Sequence, residues 1–155
     1  MKKTLFILLS FISFFVFVKA EKLKNSAWDF VNVECKAVAN DAAQQRLLDS
    51  QVENLRKKTI MPANPYTYEF TVDELVKKPS KGKPSRGKYK ETDNTLVVDM
   101  GKGLVLVQKY VIKNDTLILE MDKDLFFLCE YGIKAEDIKS LAKDISLKYY
   151  YKRKK

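Results

Sequence analysis

The chain has 155 residues, of which 46% are hydrophobic and 32% charged, and its formal net charge is +9. It contains no histidine, which excludes a Ser-His-Asp triad, a Cys-His pair and the common histidine-containing zinc sites. Its five glycines form neither a phosphate-binding loop nor a dinucleotide-binding fingerprint. We therefore expect a protein that is not an enzyme and that uses no metal or cofactor.

Residues 1–20 have the pattern of a secretory signal peptide. A positively charged start precedes an apolar run from Leu5 to Val18, and Ala20 ends a small-residue cleavage site. A retained transmembrane anchor is the alternative, but it needs about 20 apolar residues, and this run is shorter. We expect cleavage after Ala20, which removes three lysines, lowers the charge to +6 and leaves one domain over residues 21–155, periplasmic or secreted.

The first elements of this domain are predicted to be a strand and a helix. Apolar and polar residues alternate over residues 28–34, which is typical of a half-buried strand. Over about residues 38–57, Leu48, Val52 and Leu55 recur at spacings of four and three, which is typical of an amphipathic helix.

From Tyr66 to Met121 the apolar residues recur at every second position, which predicts a series of short strands. Turn-forming stretches, such as residues 92–94 and 113–115, separate these strands. Strands spaced this closely indicate an antiparallel meander rather than βαβ units. The predicted strands cover residues 66–71, 75–78, 87–91, 95–100, 104–112 and 116–121.

The last section is predicted to contain two helices and a final strand. Residues 125–128 and 135–145 are the predicted helices, and residues 146–152 return to strand alternation. A final strand that pairs with the first one would close the sheet and remove its exposed edges. The predicted fold is therefore mainly β, a small antiparallel up-and-down barrel with two or three helical insertions.

Four short features of the chain recur in a known group of barrels. They are the early strand that opens with Trp28, the hairpin Tyr68 to Glu74, the Gly87-Lys88-Tyr89 strand start and the Asn114 to Leu119 strand. These features resemble the lipocalin-like, calycin-type domains of small exported bacterial proteins. Ser26 departs from the pattern, because the familiar lipocalin opening has glycine two residues before the tryptophan. The resemblance implies a barrel that holds a ligand, without naming the ligand.

The resemblance also implies a structural contact at the first strand. In that family a basic residue near the last strand packs over the tryptophan, and here Arg153 or Lys152 would take this role with Trp28. A cation over an indole face is physically favourable. We expect this contact to support the fold rather than to bind a ligand.

A basic stretch without any acidic residue covers residues 77–90. Such a patch attracts acidic partners or polysaccharides through its long-range electrostatic field, whereas export argues against a nucleic-acid partner. A solvated, charged loop that discourages strand aggregation is the other interpretation. The cations of this stretch are Lys77, Lys78, Lys81, Lys83, Arg86, Lys88 and Lys90.

The chain has two cysteines, Cys35 and Cys129. An oxidising export compartment and an even count permit one disulfide between them, which would stabilise the domain by about 3–5 kcal/mol on the chain-entropy estimate. Two buried free thiols are the alternative, because Cys129 follows an apolar run.

Seven aromatic residues of the predicted strands are candidates for lining a ligand cavity, because such pockets are mostly hydrophobic. The same residues are equally suited to fill the core, since an eight-stranded barrel is just wide enough for its own side chains. These residues are Phe30, Tyr68, Phe70, Tyr89, Tyr110, Tyr149 and Tyr151.

Pairs of carboxylates occur in the chain, and two carboxylates can run glycoside hydrolysis. Asp73-Glu74, Asp122 with Asp124, and Glu136-Asp137 all lie in predicted turns or helix starts, where acidic residues serve local structure. We therefore expect a non-enzymatic binding domain for a small apolar or amphipathic ligand or a surface partner. The alternative is an interaction or inhibitor protein whose basic stretch engages an acidic partner or polysaccharide. In both cases we expect no nucleic-acid partner and no membrane anchor after cleavage.

Overall fold

The structure is a computed structural model that describes residues 22–101, 103–128 and 135–155; the predicted signal peptide lies outside them. The strands are β1 (Ser26–Ala39), β2 (Tyr66–Phe70), β3 (Glu74–Pro79), β4 (Ser85–Thr92), β5 (Thr95–Asp99), β6 (Val105–Lys113), β7 (Thr116–Met121) and β8 (Ala142–Arg153). Each strand pairs antiparallel with its neighbours along the chain, and β8 pairs with β1 to close a barrel. This confirms the predicted fold class.

The two ends of the barrel are distinguished by the direction of β1. We call the end where β1 begins and β8 stops the lower end, and the opposite end the upper end. The connections after β2, β4 and β6 lie at the lower end, and those after β1, β3, β5 and β7 at the upper end. In the β6–β7 turn, Asn114 and Asp115 have φ angles of 46° and 59°, the pair of positive values that a type I′ hairpin turn requires.

The long pairing of β1 with β8 corrects two of the three predicted helices. The predictions over residues 38–57 and 135–145 are too long, because Val38 lies opposite Asp144 and Ala39 opposite Ala142 in this ladder. A backbone whose hydrogen bonds are made to a neighbouring strand has none left for a helical turn. The outer parts of the two predicted helices therefore extend the barrel wall.

The helices that remain lie at the upper end. After β1 come a 3₁₀ turn (Ala42–Gln44), the helix α1 (Gln45–Leu55) and a π-helical turn (Arg56–Ile60), and between β7 and β8 come α2 (Lys123–Leu128) and α3 (Glu136–Leu141). α1 packs against β1 and α3. Its buried residues are the predicted stripe of Leu48, Val52 and Leu55.

The lower end of the barrel is sealed by the segment that precedes β1. Leu23 has no exposed surface. The Glu91 carboxylate accepts hydrogen bonds from the backbone N–H groups of Lys22 at 3.0 Å and Leu23 at 3.1 Å, and also from the Tyr110 hydroxyl. This carboxylate ties β4 and β6 to the segment beneath them. Leu23 therefore covers part of the lower end of the barrel.

Candidate functional site

The lower half of the barrel is filled by aromatic side chains. Phe70, Tyr89 and Tyr110 are 1%, 9% and 1% exposed, and the rings of Phe70 and Tyr89 meet edge to face at a centroid distance of 5.1 Å. The Tyr89 hydroxyl donates to the carbonyl oxygen of Thr71 at 2.9 Å. These three cavity candidates therefore form a packed floor.

A second aromatic cluster lies above Phe70 and consists of Phe30, Tyr66, Tyr68 and Tyr151. Phe30 stacks on Tyr66 with centroids 5.1 Å apart, and the centroids of Tyr68 and Tyr151 are 5.2 Å apart. The hydroxyls of Tyr66 and Tyr151 share a hydrogen bond of 2.9 Å. Burial raises the pKa of Tyr151 well above its ordinary value.

Tyr66 was missing from the predicted cavity residues, although it belongs to this cluster. The sequence pattern could have identified it, because Tyr66, Tyr68 and Phe70 alternate along one strand and must therefore share one face. Tyr149, the remaining predicted candidate, is 8% exposed on the inner face of β8.

Several inner-face side chains of the upper half keep part of their surface exposed. Phe30, Tyr68 and Leu106 are half-buried while they pack against the buried core. Leu106 lies opposite Val98, which is only 2% exposed. Their partial exposure leaves apolar surface of the inner face in contact with solvent.

Lys77 is a charged residue on the inner face of this upper half. It lies opposite Tyr68 in the β2–β3 ladder, and its Nζ is 4.2 Å from the centroid of the Tyr66 ring. Burial lowers the pKa of this lysine below its ordinary value. The sequence grouped Lys77 with the basic stretch, but strand alternation turns it inward, away from Lys78.

The basic stretch 77–90 runs from the end of β3 through the β3–β4 connection into β4, so its ends are strands, as predicted over residues 75–78 and 87–91, and its loop is shorter than predicted. Its loop proper is the short β3–β4 connection, which carries two of the seven cations. Lys78 forms an ion pair with Glu69, and Arg86 forms one with Glu74 at 3.1 Å. The cations that face solvent from the loop and from β4 without such an ion pair in the described structure are Lys81, Lys83, Lys88 and Lys90.

Trp28 lies at the lower end with no exposed surface. The Arg153 guanidinium carbon is 4.5 Å from the centroid of its ring, which is the contact that the resemblance implies. The indole Nε1 donates to Ser26 Oγ at 2.7 Å, and Ser26 Oγ donates in turn to the Leu23 carbonyl. Ser26 therefore binds the indole, and the preceding Asn25 takes the positive φ of 56°.

Cys35 is half-buried and packs against the core. Burial raises the pKa of its thiol to about 12, so the reactive thiolate is disfavoured at neutral pH. Cys35 forms no disulfide with any described residue. Cys129 lies outside the described residues, so the disulfide between the two remains a prediction.

The carboxylates that the sequence singled out have local structural roles. Asp122 Oδ1 accepts a hydrogen bond from the Leu125 N–H at 2.9 Å at the start of α2, and Glu136 and Asp137 lie in the first turn of α3. Within the described residues, no three acidic or cysteine side chains are grouped so that they could hold a metal ion. In the same part of the chain, every helix is too short or too polar to cross a membrane.

Comparisons with protein-family models, with curated proteins and with solved structures found no match to this chain.

Proposed function

We propose that this chain is an exported, non-enzymatic, lipocalin-like domain that binds a small apolar or amphipathic ligand in the upper half of its barrel. The observation that carries the proposal is the half-buried state of Phe30, Tyr68 and Leu106 on the inner face. An apolar, concave surface that solvent can reach is the usual setting of a small-molecule site. Because the segment before β1 covers the lower end, we place the route of access at the upper end.

The alternative, an interaction protein that uses its basic stretch to engage an acidic partner or polysaccharide, has less support. Lys78 and Arg86 are already paired with carboxylates on the same sheet, and Lys77 contacts the Tyr66 ring. Four solvent-facing lysines remain for such a partner. Their replacement by glutamine would abolish salt-sensitive binding to heparin-type polymers if this alternative held.

Two tryptophan substitutions on adjacent residues of β6 test the ligand site. Leu106→Trp adds bulk on the inner face, whereas Val107→Trp adds the same bulk on the outside, where Val107 is 57% exposed. We expect the neutral dye N-phenyl-1-naphthylamine to bind the unmodified protein and Val107→Trp, with loss of binding in Leu106→Trp. Fluorescence titration measures the binding, and circular dichroism checks the fold.

Methyl NMR of the unmodified protein makes the test independent of the variants. On addition of the dye, the methyl signals of Leu106 should shift and those of Val107 should not. Absence of dye binding, or shifts confined to the outer valines, would overturn the proposed function.

A further inference from the structure

Lys77 is the charged side chain that enters the upper aromatic cluster. Its position is fixed by strand pairing, because Lys77 lies opposite Tyr68 on β2 and opposite Ser85 on β4. Its Nζ lies 4.2 Å from the centroid of the Tyr66 ring. An aromatic face attracts a cation, but it does not replace the hydration that a buried ammonium group loses.

The carboxylates of the strands around Lys77 bind groups other than Lys77. Glu69 pairs with Lys78 and Glu74 pairs with Arg86 on the outer face. Glu91 is held by the segment that seals the lower end. Among the described residues, no carboxylate oxygen comes within the 4.0 Å ion-pair distance of Lys77 Nζ. The inner cation therefore lacks a counter-charge from this part of the protein.

The chemistry around the Lys77 ammonium group favours an anion at the upper end. Lys81 and Lys83 lie in the β3–β4 connection, which belongs to the same end of the barrel. Positive charge at the opening of a cleft raises the local concentration of anions. An anionic group that reached Lys77 would form a charge-assisted hydrogen bond in surroundings of low polarity, where such bonds are strong.

The shape of the interior limits the apolar part of the ligand. Phe30 and Tyr68 are both partly exposed. Tyr68 lies opposite Lys77, and Phe30 stacks on the Tyr66 ring that Lys77 Nζ approaches. Phe70 and Tyr110, which are both 1% exposed, close the space below. A flat ring system or a short aliphatic chain suits the ring surface that remains above this floor.

We propose that the ligand is a small amphipathic organic anion whose charged group pairs with Lys77 and whose apolar body packs against Phe30 and Tyr68. This inference rests on the proposed function, because it assigns the ligand class of the same site. It identifies Lys77 as the residue that determines specificity for charge.

Two dyes that share one aromatic body test the inference. 1-Anilinonaphthalene-8-sulfonate carries a sulfonate, and N-phenyl-1-naphthylamine lacks it. We expect the anionic dye to bind the unmodified protein about tenfold more tightly, as a net gain from one charge-assisted hydrogen bond implies. In Lys77→Gln this preference should disappear, while the affinity for the neutral dye stays within about twofold. Lys77→Arg should restore most of the preference.

Lys81→Gln is the matched control, because it removes the same charge from the connection without removing the inner ammonium group. It should keep the preference for the anionic dye at moderate salt, where exposed charges are screened. If both dyes bind equally and Lys77→Gln changes neither affinity, the inference fails while the proposed function stands. If neither dye binds the unmodified protein, the proposed function fails as well.

Discussion

Trp28 and Arg153 form a contact that joins the first strand to the last at the lower end. The indole is buried, whereas the Arg153 side chain is 41% exposed and also lies 3.8 Å from an Asp115 carboxylate oxygen. A cation over an aromatic ring at such a partly exposed position contributes about 0.5–1 kcal/mol. The contact therefore supports the closure of the barrel without dominating it.

We predict that Arg153→Ala lowers the free energy of unfolding by about 1 kcal/mol, since the ring contact and the ion pair are both lost. Lys152→Ala is the control and should change stability by less than about 0.5 kcal/mol, because Lys152 faces solvent. Urea unfolding followed by the fluorescence of the single tryptophan measures both. Equal losses in the two variants would contradict a specific role for Arg153.

The buried hydroxyl pair of Tyr66 and Tyr151 predicts a loss of stability in alkali. The pKa of Tyr151 is raised by burial above its ordinary value of about 10, so the folded state keeps a proton that the unfolded chain has released. The free energy of unfolding should therefore fall as the pH rises above about 10. Tyr151→Phe should weaken this pH dependence and cost about 1 kcal/mol at pH 7, because it removes one buried hydrogen bond.

Urea unfolding between pH 7 and pH 11 checks this expectation. Tyr150→Phe is the control, since the Tyr150 hydroxyl bonds to Glu34 at an exposed position, and it should leave more of the pH dependence in place. Identical pH profiles for the Tyr151 variant and the unmodified protein would show that the buried hydroxyl does not titrate as expected.

At the scale of single elements, α1 shows which features of a helix the hydrophobic period predicts and which it does not. Its apolar stripe was predicted residue by residue, because a period of 3.6 assigns Leu48, Val52 and Leu55 to one face. The start of this helix was predicted too early, because Val38 and Ala39 have a pattern that suits either a helix or a strand. These two residues belong to β1, because β8 pairs with them along the ladder.

We predict that Leu48→Ala lowers the free energy of unfolding by about 3 kcal/mol, because it leaves a cavity where a fully buried side chain stood. Leu47→Ala should change it by less than about 0.5 kcal/mol, since Leu47 is 52% exposed on the neighbouring face. Chemical denaturation of both variants gives the comparison. A large loss in Leu47→Ala would mean that the outer face of α1 is also covered.

At the scale of the whole molecule, the predicted signal peptide would decide the compartment in which the barrel folds. We predict that the chain, produced in an exporting bacterial host, loses residues 1–20 and begins at Glu21. Ala20→Arg should block this cleavage, because the cleavage site requires a small residue, and Ala20→Ser should preserve it. Intact-mass measurement distinguishes the shortened chain from the full chain of 18.0 kDa. Recovery of the uncut chain would favour the anchor interpretation.

The sequence by itself determined the strand period, the tight turns, the stripe of α1 and the fold class, because each follows from local alternation or local backbone preference. Only the tertiary structure decided which aromatic residues are fully buried in the floor and which stay partly exposed. The same structure separated Lys77 from the other cations, since strand register alone sends it inward toward Tyr66. Strand register and burial depend on which distant strands pair. The local sequence pattern of a run of lysines is the same whether a given lysine side chain faces the interior or solvent.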